Sequence, residues 1–441
     1  MSTTTKDVRL RIPQRTQMRM MTASLDQMLD PNSPARTIWS AVCSMDLSAW
    51  LNDIKAVEGG VGRNATDPKL LLALWVFATV RGIGSSRELT NRCHPEQGEL
   101  AFQWMCGEVT VNRDMLCAFR AQSEEKLDQL LTQIVAALMN EGLVTLDCVA
   151  QDGMRVRASA GKSSFRRKPS LDECLTQARE QLEALKRLTE EDPASLSTRQ
   201  QAARKRALQE KEDRIKRALE ECEKLEKQRA KRDKGRLKVK SEGKSKTPRE
   251  SRGSTTDPDA RVMQFSDGGF RPGCNIQFGT DTGSGIITGV DVTNVGNDFG
   301  QLPPMLDQHQ QRYGRCPNDV TLDGGYVTKD SIEQAATDYS VRVFAPVKDA
   351  KKQQDAGKDP YVRKRGDSDA VASWRERMGA ELAETMKRLR CQTAEWVNAL
   401  CRNRNLWRMP LRGRSGWKSV SLLYAITHNI VQSQNVRAAA S

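Results

Sequence analysis

Two short apolar runs, each closing on Asp-Gly, constrain the fold of this chain more than any other feature. Val144-Thr-Leu-Asp-Cys-Val-Ala-Gln-Asp152-Gly and Val320-Thr-Leu-Asp323-Gly-Gly are both rich in strand formers. Met154-Arg-Val-Arg-Ala-Ser alternates strictly after the first run, and the Asp152-Gly153 pair between the two predicts a hairpin turn. Asn275–Thr280 and Gly285–Thr293 read as a further strand pair, and Val341–Val347 as another strand. Helical patterns lie between these strands: Phe299–Tyr313, Lys329–Thr337, Ala372–Asn405 and Trp417–Gln432, with a polar, loop-like stretch at Lys348–Ser368. Strands alternating with helices define an α/β core.

Ahead of that core, residues 1–141 read as helical throughout. Asp67-Pro-Lys opens a helix with an N-cap Asp and Pro at its first position, and its nearly continuous apolar content predicts burial. Ser85 caps a shorter helix after a Gly-Ile-Gly break, and Glu125–Met139 has apolar residues at helical spacing. The core is interrupted at 170–230, a stretch dense in Glu, Lys, Arg, Leu and Ala. Leu171, Ala178, Leu182, Leu185 and Leu188 share a face, Asp192-Pro193 breaks the pattern, and Ser197-x-x-Gln200 has the form of a capping box before Leu208, Ile215, Leu219 and Cys222. We read a protruding antiparallel helical hairpin, followed by a basic flexible linker at 231–255. The stretch Lys227–Arg252 holds 12 Lys or Arg against 3 Asp or Glu, a net +9. The core domain would then comprise 142–169 and 256–432.

The whole chain of 441 residues carries a net charge of +14, from 70 Lys or Arg and 56 Asp or Glu. Such an excess speaks to partners, and polyphosphate is the commonest, because each neutralised phosphate releases counterions. An anionic membrane is the rival reading, but no apolar run approaches the roughly 20 residues of a membrane span. The N-terminus lacks the apolar stretch of a signal peptide, so a cytoplasmic protein is expected. Eleven Cys are dispersed without a C-x-x-C pair and there are only three His, so neither a zinc site nor a disulfide framework is expected.

Asp152 and Asp323 each end an apolar strand, a place unsuited to a solvated charge. In α/β sheets ligands gather at the carboxyl ends of strands, so the two acids can converge on one point. Oxygen ligands suit Mg²⁺, and two ions can clamp the attacking and leaving oxygens of a phosphoryl transfer. The competing reading makes each Asp a turn residue of a common turn dipeptide. Glu395, in Leu389-Arg-Cys-Gln-Thr-Ala-Glu395-Trp-Val-Asn-Ala-Leu-Cys-Arg402, is a third acid. It sits among Arg as on a solvated helix face, with Glu376, Glu381 and Glu384 as local competitors.

Taken together, Arg81-Gly-Ile-Gly-Ser-Ser-Arg-Glu-Leu, Val149-Ala-Gln-Asp152-Gly-Met-Arg-Val-Arg-Ala-Ser-Ala, Thr256-Asp-Pro-Asp-Ala-Arg261, Leu322-Asp323-Gly-Gly-Tyr326, Thr393-Ala-Glu395-Trp-Val-Asn398, Leu411-Arg-Gly413 and Ala425-Ile-Thr-His428-Asn429 resemble the bacterial insertion-sequence DDE transposases, over about residues 60–432. The resemblance implies a ribonuclease H-like mixed sheet flanked by helices, an all-α N-terminal DNA-binding domain and the hairpin as an insertion. It implies that Asp152, Asp323 and Glu395 bind two Mg²⁺, with Mn²⁺ as a substitute. Phosphodiester hydrolysis at transposon ends and strand transfer into target DNA would follow. Arg390, Arg402, Arg412 and Lys387 would contact the DNA, and the partners would be terminal inverted repeats, target DNA and further copies of the chain. Two departures stand out: Lys387 lies near where the family has a Tyr, and Met154 stands where Asp-Gly is often followed by Thr. Two other readings remain: a non-catalytic DNA-binding or scaffolding protein, and a nuclease of the same fold that does not join strands.

Overall fold

The computed structural model describes residues 23–56, 64–191, 197–236 and 250–440. Helices fill the chain from Leu25 to Asn140. Asp67 accepts a hydrogen bond from the Lys69 N–H (2.8 Å), capping Pro68–Val80, and that helix is buried as its apolar content requires. Ser85 caps Ser86–Arg92 in the same way. The helices Pro68–Val80 and Glu124–Asn140 share one apolar core with the long closing helix Gly413–Ala440 and the sheet residues Val149, Met154, Ile276 and Phe278. The helical N-terminal region and the sheet are therefore packed through a common interior.

The strands are β1 (Cys148–Arg157), β2 (Phe165–Arg167), β3 (Arg252–Ser254), β4 (Arg261–Gln264), β5 (Phe270–Asp281), β6 (Ile287–Thr293), β7 (Asp319–Thr321) and β8 (Arg342–Phe344). Six of them form one mixed sheet. β1 lies between antiparallel β5 and parallel β7; β8 follows β7 in parallel, and β5 carries β6 and β4 antiparallel on its far edge. This arrangement of strands, flanked by helices, is consistent with a ribonuclease H-like fold. The expected β5–β6 pair and the helices Leu302–Tyr313 and Lys329–Asp338 are present.

The expected hairpin at Asp152-Gly153 is not. β1 runs straight through both residues, and Gly153 pairs with Gln277 of β5 in extended conformation. Glycine is needed there for space rather than for a turn. A Cβ at Gly153 would overlap Asp298 Oδ1 and lie 2.6 Å from Gln277 Nε2. Two expected helical boundaries also differ. Lys348–Ser368 contains a short helix, Ala350–Asp355, and the pattern from Ala372 to Asn405 divides into Asp369–Gly379, Glu381–Arg390, a π-helical turn Cys391–Glu395, and Trp396–Asn403.

The interruption is two antiparallel helices, Lys168–Glu191 and Thr198–Arg236, with the Ser197–Gln200 capping box formed. The Asp192-Pro193 break and residues 237–249 of the basic stretch lie outside the described residues. Leu171, Ala178, Ile215, Ala218 and Cys222 make a separate apolar cluster, whereas Leu188 on the same predicted face is exposed. At the hairpin's base, Arg217 pairs with Asp259 (2.6 Å) and Glu221 with Arg261 (2.9 Å). The Thr256-Asp-Pro-Asp segment thereby joins three elements, because Asp257 and Asp259 also accept from the Gly413 and Arg414 N–H groups at the start of the closing helix (3.1 and 3.0 Å).

The Cys residues are free thiols. His309 and His428 are buried, with burial holding their rings down to about 4, and hydrogen-bond to Thr288 and the Gly285 carbonyl. They are neutral core residues. No described helix is long and apolar enough to cross a membrane.

Candidate active site

Parallel pairing fixes the relation of the first two acids. The last β1–β7 pair is Ala150↔Thr321, so Asp152 stands two residues further along β1 and Asp323 two residues beyond the end of β7, in the loop that follows it. The pleat turns Asp152 to the same side of the sheet as Ala150 and its partner Thr321. Helix Glu381–Arg390 crosses that side: the Thr321 hydroxyl donates to the Met386 carbonyl (3.1 Å), and Met386 packs with Cys148 and Phe344. The chain then widens into the π-helical turn that carries Glu395. Single π turns recur at functional sites, since the extra residue re-aims a side chain.

One turn after Glu395, Asn398 Nδ2 donates to Asp152 Oδ2 (3.0 Å), which fixes the third acid's helix against the first acid. The other Asp152 oxygen accepts from the Gly153 N–H (2.9 Å). Burial pushes the Asp152 carboxyl up to about 6. The Gly153 hydrogen bond and the Arg390 charge act against that shift, and the charges of Asp298 and Glu395 reinforce it. Asp323 is exposed, with Oδ1 accepting from the Gly324 N–H (2.7 Å). Beneath lies buried Tyr326, whose hydroxyl is pushed well above its ordinary value by burial and by the charges of Asp298, Asp152 and Asp323. Asp152 and Asp323 thus act on one phenol.

Glu395 is close enough for its charge to act on Asp152, but its carboxylate is engaged elsewhere. Oε1 pairs with Arg390 (3.0 Å) and accepts from the Cys391 thiol (3.4 Å). Among the described residues, no three acids, Cys or His stand ready to hold a metal ion as placed. The donor set nonetheless suits a hard cation. It is all oxygen, a cation at Asp152 would relieve the pressure that raises its pKa, and the Asn398 Oδ1 beside it is buried with no hydrogen-bond partner.

Of the four expected DNA contacts, Arg390 is spent on Glu395 and exposed Lys387 pairs with Glu384 (3.6 Å). Arg412 is exposed near Asp257. Arg402 makes no ion pair among the described residues and lines a cavity that reaches Gly153. The structure adds residues that pattern reading left unassigned. Asp298 accepts from Asn275 and Gln277 (2.8 Å each) against Gly153, on the opposite side of β1 from Asn398. Gln277 in turn accepts from the Tyr326 hydroxyl (2.6 Å) and from Gln151 (3.3 Å). This buried polar set lies directly under Asp152. Asp298 sits in a loop after β6 with no periodicity to single it out.

Two family models match the chain: a Transposase DDE domain over residues 238–430 and a Transposase domain (DUF772) over residues 23–122. No curated protein and no solved structure matches it. Both matches are to transposase domains, and with the mixed sheet they indicate an insertion-sequence DDE transposase. Transposases act on DNA, and the DDE family generally uses divalent metals. Asp323 and Glu395 fall within the DDE match; Asp152 falls before it, separated by the helical hairpin.

Proposed function

We propose that the protein cuts phosphodiesters at transposon ends and joins the freed 3′ ends to target DNA, with Asp152, Asp323 and Glu395 as the metal-binding acids. The observation that carries this reading is the placement of Asp152 on β1 and of Asp323 just past the end of β7, its parallel neighbour. When bound, divalent cations neutralise charge developing on the phosphate and favour loss of the attacking hydroxyl's proton. The chain's residues prepare the place. Asn398 and the Gly153 N–H hold the Asp152 oxygens in fixed directions, and burial keeps that carboxyl short of positive charge. Arg390 holds Glu395 aside; an incoming phosphate competes for the guanidinium and releases the carboxylate towards Asp152. Arg402, without an ion-pair partner among the described residues, is available to a phosphate.

In this reading residues 1–141 supply the DNA-binding domain, 142–169 and 256–432 the catalytic domain, and two Mg²⁺ or Mn²⁺ ions the cofactor. The protein works as a homo-oligomer on the paired ends, in the cytoplasm at the nucleoid. Incubation with cognate transposon-end DNA, target plasmid and Mg²⁺ tests it. Joined products are expected. Cleavage without joining would make the protein a nuclease of this fold, and binding without cleavage a non-catalytic DNA-binding protein.

A further inference from the structure

Arg120, near the end of the helix Arg113–Ala121, is only 5% exposed, yet among the described residues it makes no ion pair. Burial holds its guanidinium down to about 10, and the groups whose charges oppose that shift are the Cys117 thiol and the Tyr424 phenol, not a carboxylate. An arginine carries five N–H donors. Here Nη1 donates to the Gly84 carbonyl (2.9 Å), Nε is buried with no partner, and the guanidinium lies 4.0 Å from the centre of the Trp75 ring. The backbone is tied down as well, since the Ser419 hydroxyl of the closing helix donates to the Arg120 carbonyl. Buried charges are as a rule paired, because an unpaired one gives up its water without return. Arg120 lacks an anion.

It lines a cavity of about 580 Å³, within the range of small-ligand sites. From the helical region come Ser85 and Ser86 of the Gly-Ile-Gly-Ser-Ser turn; from the sheet side come Ser159, just after β1, and exposed Arg408. Ser85 Oγ accepts from the Glu88 N–H (3.4 Å), which leaves its own proton to donate. Arg408 is placed by its bridge to Arg157 and makes no ion pair among the described residues. The one acid of the lining, Glu88, is exposed and pairs with Arg92 (3.4 Å).

We propose that this cavity is a phosphate-binding site, with Arg120 as the buried charge behind the phosphoryl group and Arg408 and the Ser85 hydroxyl as further donors to it. The donors come from three separate segments, which suits the oxygens of a tetrahedral anion, whereas one guanidinium fork alone matches a planar carboxylate. Arg120 lies in the stretch matched by the DUF772 model and Arg408 in the DDE match, so the bound group bridges the two. None of the three candidate catalytic acids lines the cavity, and the proposal goes beyond the cleavage reading without depending on it. Two sources carry such a group: the backbone of bound DNA and a free phosphate compound.

The test uses the full-length protein in EDTA. Inorganic phosphate is titrated against chloride at matched ionic strength while the melting temperature is followed. Wild type is expected to gain stability along a saturating curve, as linkage requires of a ligand that binds the folded state. Arg120→Gln and Arg408→Ala should each need about ten- to a hundredfold more phosphate for the same gain, the loss expected when a charged hydrogen-bond partner is removed. Arg408→Ala changes an exposed side chain, so it decides the matter if Arg120→Gln does not fold. Phosphate stabilises folded proteins in general by exclusion from their surface. Equal gains in wild type and variants would therefore overturn the proposal, and so would the absence of saturation in wild type. Binding of a DNA duplex at several salt concentrations then identifies the source. With the DNA backbone in the site, the slope of log affinity against log salt is shallower in Arg408→Ala by about 0.9, the share of one phosphate. An unchanged slope beside a lost phosphate response assigns the site to a free phosphate compound. Because no divalent ion is present, failure of the proposed chemistry at the three acids would leave this result standing, and the reverse.

Discussion

Replacing Gly153 with Ala tests whether that glycine is a spacer under the site. The new methyl would overlap Asp298 Oδ1, and β1 cannot yield because it is paired on both edges near this point. Asp298 must move, and it then loses the Asn275 and Gln277 donors, both fully buried. Overpacking costs about 1–3 kcal/mol. A buried amide left without its partner adds about 1–3 kcal/mol. The sum is about 2–6 kcal/mol, a fall of several degrees in Tm for a protein of this size. Chemical denaturation of Gly153→Ala, Asp298→Ala and the double variant reads this directly. The double variant is expected to be less destabilised than the two single effects together, because removing Asp298 makes room for the methyl. A Gly153→Ala protein within about 0.5 kcal/mol of wild type, the scatter of surface substitutions, would refute the close-packing argument.

Asp152 should make stability depend on pH in a defined window. Its folded value of about 6 lies above its ordinary 3.8, so its protonated form stabilises the fold below about pH 4 and that contribution is lost as pH rises through 6. Without divalent ions, Asp152→Asn is expected to raise Tm at pH 7–8 and to change it little at pH 4; the opposite order by thermal melting would remove the burial argument. Arg402→Ala should weaken transposon-end binding at unchanged Tm, with Arg402→Lys recovering part of it; a lowered Tm at intact affinity would make the residue structural. Replacing the distal hairpin, residues 176–211, with a short Gly-Ser bridge should leave a cooperatively folding protein, since the pairs Arg217–Asp259 and Glu221–Arg261 at its base remain. An insoluble product would show that the distal part is integral.

The period of the apolar residues made the strands, the buried helix after Asp67 and the helical hairpin legible, because each rests on local pattern. The Asp152-Gly153 pair misled for a physical reason. Asp-Gly is favoured in turns for its backbone freedom, but here glycine answers a through-space contact from Asp298, which is 145 positions away and has no local signature. The π turn ending at Glu395 was equally invisible, since nothing in Cys-Gln-Thr-Ala-Glu sets it apart from a regular helical turn. Asn398 was in view only as part of a motif; its bond to Asp152 joins residues brought together by the fold. The ion pair between Glu395 and Arg390 also needed coordinates, since the widened turn Cys391–Glu395 lies between them.

The central claim is that Asp152, Asp323 and Glu395 form one metal-dependent site, and its most direct measurement is cleavage of end-labelled transposon DNA by Asp152→Asn, Asp323→Asn and Glu395→Gln in Mg²⁺, with DNA affinity measured alongside. Each substitution removes a negative oxygen ligand while leaving the cationic surface in place. The account predicts that all three abolish cleavage and bind DNA as well as wild type or slightly better. A variant that still cleaves at the wild-type rate would remove its residue from the site and contradict the account.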